Sequence, residues 1–246
     1  PDTFAAYKSQ RYRWVYGAMQ IMKRHAAQIF RGKSKLTLAQ RYHFVAGWLP
    51  WFADGFALIF GVLAMIWSLL MAIAPKYFDV PLTALSSVAL AIFTVKTLKT
   101  VLLHRAKVGS GFLGAVASAI TGLSLAYTVG RAVLSGLFTN SKPFMRTPKC
   151  ENAAPLTHAL RVTATETAML IGTIISIAGT IHIRRLEDPA EQIWVSALVV
   201  MAIPYAASLL VAVGSALKVG RRPVPVSLPD HVPARAYAAP VMDLAA

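Results

Sequence analysis

Apolar residues are spread unevenly along the chain, and their spacing changes character several times. From Trp14 to Phe30 the apolar positions Val15, Met19, Met22, Ala26 and Ile29 recur at helical spacing, while Lys23, Arg24 and Gln28 fall elsewhere on the wheel. This pattern predicts an amphipathic helix lying on an anionic membrane surface. A second such stretch runs from Leu36 to Trp48, with Thr37 as its N-cap, and Pro50 is expected to break the run. Gly55 to Ala74 is then uncharged, long enough to cross about 30 Å of hydrocarbon at 1.5 Å per residue. Trp48, Trp51 and Phe52 before it, and Tyr77 and Phe78 after it, fit interfacial belts.

A connection from Pro75 to Pro81 leads into a second span, Leu82 to Leu103. Lys96 and Lys99 lie in its last third, where snorkelling to the headgroups is the expected behaviour. Phe112 to Phe138 is apolar except for Arg131, so hydropathy alone makes it a span. Basic residues flank it on both sides, namely Arg105 and Lys107, then Lys142, Arg146 and Lys149. That symmetry predicts a helix lying in the interface, or re-entrant against protein. Residues 139–158 read as a polar loop broken by Pro143, Pro148 and Pro155. A third span is expected over Ala164–Ile183 and a fourth over Ile193–Leu217, with Pro204 as a possible kink. The connection between them carries Arg184 and Arg185 beside Glu187, Asp188 and Glu191. From Pro223 the tail is rich in Pro and Ala and is expected to be disordered.

The predicted fold class is therefore all-α and integral to the membrane, with about four transmembrane helices plus amphipathic interfacial helices. Residues 1–53 form an interfacial region, 54–217 a transmembrane region with the loop 139–158, and 218–246 a tail. Composition agrees. Charged residues are 14% of the chain, against about 25% in a soluble domain, too few to cover a water-exposed surface. The 25 Lys+Arg against 10 Asp+Glu give +15, which in so apolar a chain marks loops on the cytoplasmic face. Nucleic acid is the weaker partner, because no basic helix or aromatic-basic module is present. The single cysteine, Cys150, excludes an intrachain disulfide framework and a Cys-rich metal site. The chain opens at Pro1 without a signal peptide, and we expect a fragment whose N-terminal part is missing.

Conventional catalytic patterns are missing from the sequence. None of His25, His43, His104, His158, His182 and His231 has i,i+4 ligand spacing with another, or a carboxylate in a metal pattern. There is no nucleophile elbow and no phosphate-cradling loop. Asp54 and Glu166 adjoin apolar spans, and the water interface is their expected place.

Two short motifs stand out. Gln10-Arg11-Tyr12-Arg13-Trp14 fits Q-x-x-R-W, and Phe144-Met145-Arg146-Thr147-Pro148-Lys149 fits F-x-x-T-x-K. Alone, the first reads as the basic-aromatic end of a surface helix, the second as a proline loop with two solvated cations. At average residue usage each occurs by chance in roughly a few per cent of such chains or fewer, and both together far less often.

With these two motifs in this order, the chain resembles the membrane half of processive family 2 glycosyltransferases, the group of bacterial cellulose synthase and related glucan and hyaluronan synthases. In those enzymes a cytoplasmic Q-x-x-R-W helix follows the catalytic domain. Two spans, an interfacial helix, a gating loop and further spans come after it. The same order covers residues 1 to about 217. Where cellulose synthase has F-x-V-T-x-K, this chain has Arg146 at the Val position, so the polymer is left open beyond a β-glycan, glucan before others. The tail is too short for a cyclic-di-GMP-binding domain and has no R-x-x-x-R.

The resemblance implies a bacterial inner-membrane, multi-pass enzyme with both motifs cytoplasmic. It would move sugar from a UDP-sugar to a glycan acceptor and pass the polymer across the bilayer, where a periplasmic export partner could receive it. Gln10, Arg13 and Trp14 would form the acceptor end of the site, with the indole stacking on a terminal sugar. Phe144, Thr147 and Lys149 would close over the nucleotide, Lys149 offsetting phosphate charge and closure excluding water. The base and the aspartates that bind a divalent metal, Mg or Mn, would lie upstream in the missing catalytic domain, leaving this segment without catalytic or metal residues. With Phe112–Phe138 in the interface, two spans separate the motifs and both face one side; if it crossed, they would not. The competing expectation is a small-solute transporter or export subunit without transferase chemistry, though no internal repeat of the inverted kind is present.

Overall fold

The computed structural model describes residues 3–30, 36–140 and 156–218. Every regular element among them is an α-helix. They are α1 (Phe4–Phe30), α2 (Leu38–Ile73), α3 (Thr83–Val108), α4 (Phe112–Leu123), α5 (Ala126–Phe138), α6 (Leu156–Val162), α7 (Ala164–Arg184) and α8 (Pro189–Lys218). Five stretches are long and apolar enough to cross a membrane: α2, α3, Phe112–Phe138, α7 and α8. This is a multi-pass, all-α membrane protein, since a helix satisfies its backbone polar groups internally where no water can. Leu85, Val88, Val95 and Leu98 of α3 are exposed, as are Ile171, Ile174 and Ile175 of α7, which suits a hydrocarbon solvent.

The second amphipathic stretch and the first span form one continuous helix. Thr37 begins it with a capping box: its hydroxyl accepts from the Gln40 N–H, and the Gln40 side chain accepts from the Thr37 N–H. Pro50 does not end the helix, contrary to the expectation from sequence; it lies inside α2. A proline removes one i→i−4 bond, and neighbours on both sides of Pro50, Trp48 and Trp51, are held in the packed core. Pro204 likewise lies inside α8.

Helices α2, α7 and α8 make one half of the interior, where Ala64, Trp194 and Leu198 are buried with Phe60 and Ile177 against them. The Trp194 indole donates to Ser68 Oγ at 3.2 Å. At the far end of this bundle the 74–82 connection is tied down. Arg184 bonds the Phe78 carbonyl at 2.9 Å and pairs with Asp79 at 3.2 Å, while the Trp67 indole donates to the Asp79 carbonyl at 2.9 Å.

The Phe112–Phe138 stretch is divided at Ser124–Leu125 into α4 and α5. At 1.5 Å per residue each piece is about 18–20 Å long, short of the ~30 Å core. Helix α4 packs on α3 and α8, whereas α5 lies between α1 and α2. It runs in the same direction as α1: Arg131 faces the Tyr12 ring, Gly136 abuts Met19, and Asn140 meets Lys23. The apolar face of α1, read from sequence as a membrane-binding face, is thus covered by protein. Val15 and Met19 are fully buried in a core with Val129, Ala132 and Val133 of α5.

Two glycines make this packing possible. A Cβ on Gly130 would stand 2.6 Å from the Asp54 carbonyl oxygen, and one on Gly136 would stand 2.6 Å from Met19 Cβ. Only a residue without a side chain lets α5 approach both neighbours this closely.

Candidate functional site

Helix α1 is fastened to the bundle at both ends by cations and amides. Near its start, Lys8 donates to the Val162 carbonyl at 2.8 Å and pairs with Glu166 at the beginning of α7. Near its end, Gln20 donates to the Gly136 and Thr139 carbonyls at 2.8 and 2.9 Å. Lys23 reaches the Gly136, Leu137 and Thr139 carbonyls at 3.0, 3.2 and 3.0 Å, and Asn140 Oδ1 at 2.8 Å. The Gly136 and Leu137 carbonyls belong to the last turn of α5 and have no partners inside that helix, and a cation there also offsets the negative end of its dipole. Tyr16 Oη and Thr139 Oγ1 add a bond of 3.1 Å.

The side of α1 away from Val15 and Met19 carries Gln10, Arg13 and Trp14, which share a face by i,i+3,i+4 spacing. Trp14 is 55% exposed, whereas Gln10 and Arg13 are half-buried. The next position on that face, Gly17, has open space where a side chain would stand. Sequence reasoning missed Arg11, an unspecified position of the motif. Its guanidinium lies 5.4 Å from the Trp14 ring centroid and 5.6 Å from that of Tyr7, and it donates to the Tyr7 hydroxyl at 3.1 Å. The indole is therefore braced by Arg11 while Trp14 stays more than half exposed.

Phe144, Thr147 and Lys149 lie outside the described residues. The two ends of their loop are described, and both rest on α1. The chain departs at Thr139 and Asn140, against Tyr16, Gln20 and Lys23. It returns in α6, where His158 and Ala159 border the same small cavity as Thr3, Phe4 and Ala5, and Val162 bonds Lys8. Departure and return therefore bracket Gln10–Trp14 along about 22 Å of helix. The intervening segment has a reach of roughly 50 Å at 3.3 Å per residue.

No family model, curated protein or solved structure matches this chain.

Asp54 and Glu166 are buried within the protein: they are 8% and 1% exposed and each is ion-paired. Lys96 does not snorkel but pairs with Asp54 across α2 and α3. Burial without a partner would leave a bare charge in an apolar bundle, so each carboxylate draws a lysine inward. Neither pairing is visible in sequence, since the partners are 158 and 42 residues apart. Among the described residues no three of His, Cys, Asp and Glu gather where a metal could be held.

Proposed function

We propose that this chain is the membrane part of a polysaccharide synthase, transferring sugar from a UDP-sugar to a growing β-glycan and passing the polymer through the bilayer. One observation carries the reading. The loop bearing Phe144, Thr147 and Lys149 leaves and rejoins the bundle on either side of the Gln10–Trp14 segment. That is the arrangement a shared site for acceptor and nucleotide requires.

In this reading the catalytic half, with base and metal-binding aspartates, covers the open face of α1. Trp14 presents its exposed indole to the terminal sugar, whose axial C–H faces suit an aromatic plane. Arg11 packs behind the indole and fixes its plane. Gln10 and Arg13 orient the acceptor hydroxyl or the diphosphate by hydrogen bonds of fixed geometry. Thr147 and Lys149 meet the nucleotide from the loop, and closure keeps water from the donor. Helix α1 and both loop ends then lie on the cytoplasmic side of a bacterial inner membrane, with α5 in the interface beneath α1.

The test is polymer synthesis by the complete enzyme, with Trp14→Ala and Trp14→Phe. We expect the alanine variant to lose nearly all elongation and the phenylalanine variant to retain part of it, at equal membrane insertion. Polymer yield near wild type for Trp14→Ala would remove Trp14 from the acceptor site. A complete chain with additional spans and no sugar transfer would favour a transporter instead.

A further inference from the structure

We propose that the groove between α2, α3 and α8 is the site of one anionic phospholipid, with an acyl chain in the groove and the phosphate beneath α1 on Arg11, Lys96 and Thr97. The inference goes beyond the synthase reading and does not depend on it. The groove encloses about 550 Å³. It runs from Asp54 to Leu63 along α2, and from Lys96 back to Leu85 along α3. At 1.5 Å per residue these stretches are about 14 and 17 Å long, which is the depth of one leaflet of a ~30 Å hydrocarbon core. Its outer walls face hydrocarbon, since Phe56, Leu63, Leu85 and Val88 are all exposed. Helix α3 packs chiefly on α4 and α8 and only sparingly on α2, so the groove opens sideways to the bilayer. Its inner wall is protein, where Met201 and Tyr205 are buried.

This lining suits a hydrocarbon chain and not a glycan. Apart from the Asp54–Lys96 pair at one end, the polar side-chain groups on it are the hydroxyls of Tyr127 and Tyr205. A sugar there would give up the water on its hydroxyls and find too few partners to replace it. An acyl chain needs only apolar surface along its length.

The polar end supplies a place for the headgroup. Asp54, Lys96 and Leu123 also border a second cavity, of about 190 Å³, which Tyr7 and Arg11 of α1 and Thr97 and Thr100 of α3 share. Charge does not balance there. Asp54 neutralises Lys96, while Arg11 enters no ion pair among the described residues, so one positive charge is left over. Hydrogen-bonding capacity is left over too. Arg11 Nε and Thr97 Oγ1 are buried without a partner among the described residues, whereas the Thr100 hydroxyl donates to the Lys96 carbonyl. A phosphodiester brings one negative charge and the acceptor oxygens that a guanidinium fork and a hydroxyl call for. Basic pockets between membrane helices bind anionic headgroups in this way. The Asp54 carboxylate repels an anion, which places the phosphate on the Arg11 and Thr97 side of Lys96. The Arg11 guanidinium also lies 5.4 Å from the Trp14 ring centroid, so the phosphate and Trp14 share one cation.

The test uses the 246-residue chain in phosphatidylcholine nanodiscs. Two photoactivatable probes carry the same diazirine midway along one acyl chain, one on phosphatidylglycerol and one on phosphatidylcholine. Adducts are read by peptide mass mapping at Tyr205, 5% exposed on the inner wall, and at Val95, 64% exposed on the outside of α3. Bulk lipid reaches Val95, and only a chain seated in the groove reaches Tyr205. We expect the phosphatidylglycerol probe to label Tyr205 several-fold more than the phosphatidylcholine probe, with equal labelling of Val95. Arg11→Gln should bring the first probe down to the level of the second, and the near-isosteric Thr97→Val should lower it in part. Unchanged Val95 labelling shows that both variants keep the fold. No adduct at Tyr205 from either probe overturns the lipid site. Equal labelling of Tyr205 by the two probes, or labelling indifferent to both variants, overturns the phosphate site. Loss of the Tyr205 adduct on adding a linear gluco-oligosaccharide would assign the groove to a glycan and overturn the proposal. Failure of the complete enzyme to transfer sugar would overturn the synthase reading and leave these lipid results standing.

Discussion

Lys8 of α1 and Glu166 of α7 form a buried ion pair between helices 158 residues apart in the chain. Its acidic member is 1% exposed, and the lysine side chain 13%. The same ammonium holds the Val162 carbonyl, the last residue of α6, so one cation joins the Q-x-x-R-W helix, the returning end of the 139–158 loop and the start of α7. Any movement of that loop end is coupled through Lys8 to the helix that bears Trp14.

Removing the cation alone should therefore be costly. We expect Lys8→Met to destabilise the folded bundle by about 3–5 kcal/mol, because Glu166 is left as an unpaired buried charge. Adding Glu166→Gln should restore much of the loss. Thermal unfolding of the detergent-solubilised protein checks both. Equal stability of Lys8→Met and wild type would mean that Glu166 finds water in the bundle.

Gly130 offers a packing test. Alanine there would place a methyl group 2.6 Å from the Asp54 carbonyl, a backbone atom that cannot rotate away. We expect a loss of about 1–3 kcal/mol as α5 is pushed from α2. Gly17→Ala, which meets open space, is the control and should be neutral or slightly stabilising. Similar melting temperatures for the two would argue against the close approach.

The α7–α8 connection carries two consecutive non-glycine residues at positive φ, Arg185 at 58° and Leu186 at 59°. Arg185 is the C-cap of α7, its N–H bonded to the Ile181 carbonyl. A left-handed residue with a Cβ costs roughly 1–2 kcal/mol. Arg185→Gly should relieve part of it and raise the melting temperature, since the adjoining Arg184 keeps its bonds to Phe78 and Asp79. A lower melting temperature would show that the Arg185 side chain contributes more than its backbone costs.

Cys150 gives a test of sidedness, as the single cysteine of this sequence and the neighbour of Lys149. On the synthase reading, a membrane-impermeant maleimide should label it in inverted vesicles and not from the outer face. On the same reading, UDP and a divalent metal should slow that labelling in a complete enzyme with any other cysteines replaced, as the loop closes over nucleotide. Labelling from the outer face would put the loop and α1 on a side where no UDP-sugar is supplied. Cytoplasmic labelling indifferent to UDP would count against gating alone.

Runs of uncharged residues located α3, α7 and α8 closely and the C-terminal part of α2, though not its start at Leu38, because a span must be long, apolar and self-satisfied in hydrogen bonds wherever it packs. The Thr37 cap was legible too, since a capping box is local chemistry. The helical spacing of Val15 and Met19 showed that α1 has a buried face, but not what buries it. A bilayer and a second helix ask the same pattern of a surface, and only the fold set α5 against it. Pro50 was misread because a proline's local cost can be outweighed by the core on either side of it. Asp54, Glu166, Lys8 and Lys96 were visible as charges and not as pairs. A charge in an apolar chain must find a partner, but which one depends on how distant helices align. The Q-x-x-R-W segment could likewise be named from residues in a row. That the 139–158 loop leaves and rejoins on either side of it depends on α5 and α6 meeting α1 at opposite ends, which no spacing in the sequence encodes.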